Sequence, residues 1–369
     1  MRVAYDMTIA SVSGAGIGTY AARVATTLAP LLGDQFRPIA FAIQPRHDAP
    51  RLLLRAVSPV RDLYWWPYGV ERAARRSGAD VLHIPNGGFG PARPSLPVVL
   101  TVHDIIVLRF PEFFRSWARN YVRVMLPKSL AAARMVVTSS DASRAEILER
   151  FRLEEDRVLT VSAGVDPEFA AGPPDSARVE ELRRRFRLPD RFVLTVGATE
   201  PRKNLPRLLR AVHQLRGETE TKDLTLVHAG PAGWLSDDVP RLLAELQLAP
   251  AVRFLGYVPR ADLPALYAAA TLLAYPSIYE GFGLPVLEAM SVGCPVVTSD
   301  VSSLPEVAGG AAILVDPMSV EAIADGVRRS WGDAQLRETM RCRGTIRAAA
   351  FDWGRVAQRT LDAYARAVD

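Results

Sequence analysis

Along the chain, short apolar runs rich in Val, Leu and Ile alternate with longer stretches of helical periodicity, the pattern of parallel strands joined by crossover helices. In the first half, RVAYD, RPIAFAI, ADVLHIP, PVVLTVHD and RMVVTSS predict strands. Between them, GTYAARVATTLAPLL, after a loop carrying Gly14, Gly16 and Gly18, and DASRAEILERF predict helices, the second capped by Ser140 or Asp141. SAGVDPEFAAGPPDS, residues 162–176, is rich in Gly, Pro and Ala and reads as an interdomain linker. The pattern then restarts: RFVLTVGAT, LTLVHAG, AVRFLGYV, ATLLAYPS, CPVVTSD and AAILVD predict six buried strands, with NLPRLLRAVHQL and DLPALYAAA among the helices between them. The expectation is an α/β chain of two doubly wound parallel sheets, whose ligands bind beyond the carboxyl ends of the strands.

Composition adds bounds. A chain of 369 residues that is 49% hydrophobic can bury two cores. The opening MRVAYDMTIA is too short and interrupted for a signal peptide, and no run reaches the roughly 18 apolar residues of a spanning helix, so a soluble cytoplasmic protein is expected. Cys294 and Cys342 lie far apart without CxxC or His spacing and read as small core residues. Residues 1–160 hold 21 Lys/Arg against 14 Asp/Glu, a balance of +7, while the remainder holds 24 against 26, or −2. The basic half favours an anionic partner, an attraction screened over about 8 Å at physiological salt. No nucleic-acid motif accompanies it, so an anionic membrane face or a phosphorylated ligand fits better than nucleic acid. Residues 51–76 and 113–130 interleave arginines with aromatic residues, which suits an interfacial surface on anionic lipid and is equally met by amphipathic core helices. Trp65 and Trp66 are candidates to stack on an acceptor sugar.

Four segments carry candidate chemistry. In EGFGLPVLEAM, after the strand ATLLAYPS, Pro285 and Gly293 punctuate a helix over 284–292. Glu280 then lies in a glycine loop and Glu288 inside the helix, so they are not two carboxylates on one helical face. Gly281 and Gly283 allow exposed N–H groups beside a helix N-terminus, a site for phosphate, and Glu280 offers acceptors to neighbouring hydroxyls. A Gly-rich turn with Glu280 as a capping charge meets the same local pattern. In GATEPRKNLPRLL, Arg202 and Lys203 precede a helix capped by Asn204; cations there oppose the helix dipole, and a bound diphosphate would compensate them. Two solvated basic residues are the alternative. VSGAGIGTY does not complete GxGxxG, which argues against a dinucleotide dehydrogenase, and is either a phosphate-approaching loop or a tight turn. VHD places His103 and Asp104 at a strand end, either as a sugar-binding or proton-transfer pair or as satisfied structural residues. There is no DxD, HxH or HExxH, Asp237 and Asp238 read as helix-start acid, and neither a GxSxG elbow nor a P-loop is present.

Together these segments resemble the family 4 retaining glycosyltransferases of GT-B architecture, over almost the whole chain. The most specific match is E-x7-E at Glu280 and Glu288, joined by GATEPRKN, FLGYVP, SAGVD and the VHD of the first half. The resemblance implies two Rossmann-like domains facing across a cleft: 1–172 with a crossover helix 352–369 on the acceptor side, and 173–351 for the donor. It implies that Arg202 and Lys203 neutralise the donor diphosphate, that Gly281, Phe282, Gly283 and Leu284 present backbone to phosphate and sugar, that Glu280 holds sugar hydroxyls and that Glu288 holds the ribose. The base would lie against Gly256, Tyr257 and Val258, Gly16 would approach the phosphates, and His103 would contact the sugar near the reaction centre. Glu280, His103, Arg202 and Lys203 form the implied catalytic set. No cofactor and no metal are implied; the donor is a nucleotide diphosphate sugar, GDP-linked in preference to UDP-linked. Similarity to bacterial mannosyl- and rhamnosyltransferases implies a mannose- or rhamnose-type hexose moved to a glycan or lipid-linked acceptor in cell-surface polysaccharide synthesis, with peripheral contact at the inner face of the plasma membrane. A GT-B sugar-nucleotide epimerase and a non-catalytic nucleotide-sugar binding protein are the competing readings.

Overall fold

The computed structural model describes residues 1–12, 16–41, 60–87, 89–91, 93–233 and 238–369. Gly14, positions 51–59 of the first arginine-aromatic stretch and Asp237 lie outside them. The chain divides into two compact units, Met1–Gly164 with Asp352–Asp369, and Val165–Phe351. The division comes ahead of the expected 172, for a local reason. Val165 N–H donates to the Phe351 carbonyl, Asp166 pairs with Arg260, and Phe169 packs edge-on against Tyr267, so the expected linker is built into the second unit from Val165 onward.

In the first unit, strands β1 (Val3–Asp6), β2 (Phe36–Ile39), β3 (Val81–Ile84), β4 (Val98–Thr101), β5 (Met135–Thr138) and β6 (Val158–Thr160) form a parallel sheet in the order β2-β1-β3-β4-β5-β6. The short β6 was not among the expected strands; only three residues long, it leads straight into the Gly- and Pro-rich stretch that masks it. β1, β3, β4 and β5 are buried throughout, which is why they read as continuous apolar runs. The helix Gly16–Leu32 begins two residues before its predicted start and takes in Gly18, so Gly16 heads a helix and is not part of a loop. Ser140 caps the helix Asp141–Phe151, its hydroxyl accepting from Ser143 N–H. The terminal helix Trp353–Val368 belongs to this unit. Its Tyr364 hydroxyl lies 2.7 Å from His83 Nδ1, and His83 Nε2 lies 2.8 Å from Thr101 Oγ1, fastening the helix to two strands through a buried imidazole. A side chain at Gly164 would sit 2.7 Å from the backbone nitrogen of Trp353, so glycine is what lets this helix begin so close to the sheet's last connection.

The second unit contains every strand its sequence predicts: β7 (Val193–Val196), β8 (Leu226–Ala229), β9 (Val252–Gly256), β10 (Leu272–Tyr275), β11 (Val296–Ser299) and β12 (Ile313–Val315). The order is β12-β11-β10-β7-β8-β9, all parallel. From β7 the connections step outward to β9, then return to the other side at β10; the direction of winding therefore reverses between β7 and β10. The helix Leu205–Arg216 closes one face, burying Leu205, Leu208, Leu209, Val212 and Leu215 at helical spacing over Val193, Leu272 and Val297. Truncating one of these leucines to alanine costs about 2–5 kcal/mol, enough to consume much of a domain's stability. Of the two cysteines, Cys294 is buried as expected, whereas Cys342 is exposed on the helix Ala334–Ala348. No helix among the described residues is long and apolar enough to cross a membrane.

Candidate active site

The winding reversal in the second unit fixes where its chemistry gathers. β7 ends at Val196, and the next residue, Gly197, with φ of +132°, turns the chain toward the short turn Pro201–Lys203; β10, the neighbour of β7, ends at Tyr275 and leads to Glu280. Asn204 joins the two loops. It takes a left-handed backbone (φ 61°), and its Nδ2 donates to the carbonyls of Pro276 (3.0 Å) and Pro317 (2.6 Å). The expected helix cap is therefore a brace: its Oδ1 accepts from Arg207 Nη1 at 3.0 Å and bonds none of the helix's first N–H groups, while its Nδ2 holds the sheet-end loops together.

The brace brings Arg202, Lys203 and Glu280 together. Glu280 is 6% exposed. Its Oε1 accepts from Lys203 Nζ at 2.7 Å and from the Tyr275 hydroxyl at 2.8 Å, and its Oε2 pairs with Arg202 Nη1. Arg202 Nε also reaches Glu200 at 2.8 Å, and the Lys203 ammonium sits 4.7 Å above the Tyr275 ring. The charge compensation expected from a diphosphate is thus already present in the protein, supplied by Glu280 and Glu200. Burial would raise the Glu280 carboxyl, but the charges of Arg202 and Lys203, with the hydrogen bonds from Lys203 and Tyr275, outweigh it and hold Glu280 at about 2. Burial, with Arg202 alongside, pulls Lys203 below its usual value.

The loop after Glu280 is fixed from the next connection. Glu280 N–H donates to Ser302 Oγ at 3.1 Å, and Ser303 Oγ lies 2.9 and 2.7 Å from the carbonyl oxygens of Glu280 and Phe282. Gly281, Phe282 and Gly283 are buried, Phe282 edge-on against Phe351, while Leu284 is half-buried. Gly283 has φ +112° and a side chain there would fall 2.7 Å from Leu304 Cδ2, so both conformation and space demand glycine. The helix that follows, Leu284–Ser291, starts with no side-chain cap and with Pro285 in its first turn, leaving an N-terminal dipole directed at the glycine loop.

Glu288 belongs to a different network. It is 5% exposed; its Oε1 pairs with Arg260 Nη2 at 2.9 Å and its Oε2 accepts from the Tyr267 hydroxyl at 3.0 Å. Arg260 also grips Asp166, with Nε at 2.9 Å from Oδ2. Here burial dominates and raises the Glu288 carboxyl, Arg260 and Tyr267 offsetting it only in part. At the edge of the sheet, β9 ends in Gly256 with φ +69°; Tyr257 is 73% exposed, whereas the Val258 side chain is buried.

Gly16 and His103 belong to the first unit. His103 follows β4, is buried, and packs edge-on against Tyr20 of the helix that Gly16 opens, with centroids 4.8 Å apart. Burial lowers its value to about 4, so the imidazole is neutral at pH 7, and its Nε2 has no hydrogen-bond partner among the described residues. Asp104 is used locally, accepting from Ile106 N–H at 3.0 Å. Trp65 and Trp66 are core residues and no sugar platform: both indole N–H groups point at the buried Asp6 carboxylate, the closest at 3.1 Å. Among the described residues, the exposed large apolar side chains of the two arginine-aromatic stretches are instead Val60, Leu63, Tyr64, Tyr68, Trp117 and Val124.

Sequence reasoning missed Tyr275, Tyr267 and Arg260. Tyr275 was visible as the last residue of a buried strand and Arg260 as the cation two positions after Val258, but what each touches depends on packing between elements distant in sequence.

Two six-stranded parallel sheets, the second carrying two cations and a carboxylate at its winding reversal beside an uncapped helix, have the architecture of a GT-B glycosyltransferase. The chain belongs to glycosyltransferase family 4: residues 14–169 match Glycosyltransferase Family 4 and residues 179–347 match Glycosyl transferases group 1. It is 39% identical over 267 residues to O-antigen chain mannosyltransferase B of Escherichia coli, covering 72% of this chain and 69% of that one. It is 30% identical over 274 residues to the serotype-specific mannosyltransferase WbdA of Escherichia coli, covering 73% of this chain but only 33% of that longer protein. The structure of HepE from Anabaena, solved with UDP and glucose, shares the fold with a TM-score of 0.74 at 21% identity, covering 99% of both chains.

Proposed function

We propose that this glycosyltransferase moves mannose, with retention of the anomeric configuration and without a metal, from a GDP-linked donor to a glycan or lipid-linked acceptor of a cell-surface polysaccharide. The observation that carries this reading is the cluster of Arg202, Lys203 and Glu280 at the β7/β10 ends, beside the uncapped helix Leu284–Ser291. Arg202 and Lys203, balanced in the protein by Glu280 and Glu200, still offer hydrogen-bond donors to a departing diphosphate, and the uncapped helix adds its positive dipole end. Oε1 of Glu280 already accepts two bonds and Oε2 one, which leaves Oε2 an acceptor position for a sugar hydroxyl. Glu288 serves the ribose, and exposed Tyr257 with the Val258 backbone serves the base. In the first unit the unpartnered Nε2 of neutral His103 is suited to a sugar hydroxyl.

With Glu280 occupied by two cations, it is a poor nucleophile, and the reaction follows the front-face route. The acceptor oxygen bonds to the anomeric carbon on the side from which the diphosphate leaves, and its proton passes to the departing phosphate oxygen. Mannose is supported by the two mannosyltransferase relatives, and GDP is the nucleotide on which that sugar is expected. Exposed Leu63, Tyr64 and Tyr68, followed in sequence by exposed Arg72, Arg75 and Arg76, and exposed Trp117, with exposed Arg115 and Arg123 near it in sequence, favour peripheral binding to anionic lipid at the inner membrane face.

A melting panel with GDP, UDP, ADP and dTDP, followed by transfer assays from the selected donor with and without EDTA, tests the reading. Stabilisation by GDP, EDTA-insensitive transfer from GDP-mannose and an α-linked product are expected. Stabilisation by UDP alone overturns the donor assignment, and isomerised donor without acceptor marks an epimerase.

A further inference from the structure

The assigned roles leave Arg260 unused, although it sits at the centre of a buried charge network. Its guanidinium spans two carboxylates from separate parts of the second unit: Asp166, just ahead of the short helix Pro167–Ala170, and Glu288 inside the helix Leu284–Ser291. Both carboxylates are almost fully buried, and the guanidinium lies 5.2 Å over the ring of Phe169. A planar fork of donors holds two such acceptors in one fixed relation, which a lysine ammonium does not. On the far side, Tyr267 donates to the other Glu288 oxygen. Each oxygen of Glu288 therefore accepts one protein bond and keeps one acceptor position, a neighbouring pair that matches a vicinal diol. With two carboxylates to one guanidinium the network is net negative, which suits hydroxyl donors and repels phosphate.

We propose that Arg260 is a positioning residue that, braced on Asp166, orients the Glu288 carboxylate toward the ribose 2′- and 3′-hydroxyls and so sets the preference for ribonucleotide over 2′-deoxyribonucleotide donors. The proposal rests on the ribose assignment of Glu288. Without Arg260, two buried carboxylates are left together, and Glu288 takes up a proton and loses one of its acceptor positions.

The test compares kcat and KM for GDP-mannose and 2′-deoxy-GDP-mannose in the wild type, Arg260→Gln and Arg260→Lys, across pH. The wild type is expected to favour the ribo donor through KM by about 10- to 100-fold, the worth of one hydrogen bond to a charged group. Arg260→Gln is expected to lose most of that preference at neutral pH, with kcat at saturating donor little changed, and to regain it as rising pH ionises Glu288. Arg260→Lys, which keeps a charge without the fork, is expected to lose part of the preference and carries the test if the glutamine variant does not fold. A lowered melting temperature with the full ribo preference retained in both variants would reduce Arg260 to a structural strut and overturn the proposal. A wild type indifferent to the 2′-hydroxyl would instead overturn the ribose assignment itself.

Discussion

Glu280 and Glu288 are the same residue type, equally buried, on one loop and the helix it opens, yet their carboxyls shift in opposite directions. Glu280 has two cationic partners, Lys203 and an Arg202 that it shares with Glu200, and is held at about 2. Glu288 has one guanidinium, shared with Asp166, and burial lifts it above its usual value. Burial pushes both the same way, so the number of positive partners per carboxylate decides the outcome. Under the proposed function, the difference would separate a carboxylate ionised well below neutral pH, at the reacting end of the donor, from a more easily protonated one at its nucleoside end.

The largest effect should come from removing the ionised partner. Glu280→Gln is expected to lower kcat by about 10²–10³-fold while leaving GDP affinity within a few-fold, measured by transfer assay and calorimetry. Glu288→Gln should act on binding instead, raising the donor KM about 10-fold with a much smaller change in kcat. Equal losses of kcat in both variants would erase the distinction. Stability should separate them too. Glu280→Gln strands Arg202 and Lys203 beside Glu200 alone and should lower the melting temperature at pH 7 by a few degrees, whereas Glu288→Gln leaves Arg260 paired with Asp166 and should lower it less.

The pH response sharpens the same contrast. Because Glu280 lies below its usual 4.5 in the folded protein, its contribution to stability is full above that value and is lost as pH falls from 4.5 toward about 2; Glu280→Gln should flatten this acid limb. Glu288 lies above 4.5, so its carboxyl favours folding when protonated, and that contribution is lost as pH rises through its folded value. The wild-type donor KM should accordingly rise as pH is lowered from neutral toward 4.5, a slope absent from Glu288→Gln. The smallest effect belongs to the sheet edge, where Tyr257→Ala should weaken GDP binding by about 2- to 5-fold through lost ring contact.

Much of this was legible in the sequence because it is local. The six strands of the second unit are continuous apolar runs, and Pro285 and Gly293 mark the ends of the helix carrying Glu288. Arg202, Lys203 and Glu280 stood out as charged residues at strand ends. What escaped depends on contacts across the fold. Asn204 looks like a cap until Pro276 and Pro317 approach it, and Trp65 and Trp66 look like a sugar platform until Asp6 is seen beneath them. Arg260 shows its role only when Asp166, distant in sequence, is packed against it.

The division of labour between the two glutamates is tested most directly by a steady-state comparison of Glu280→Gln and Glu288→Gln with GDP-mannose and a glycan acceptor. Glu280→Gln is expected to lose kcat with GDP binding retained, while Glu288→Gln loses donor affinity with kcat largely kept. The reverse pattern, or transfer undiminished in Glu280→Gln, would contradict it.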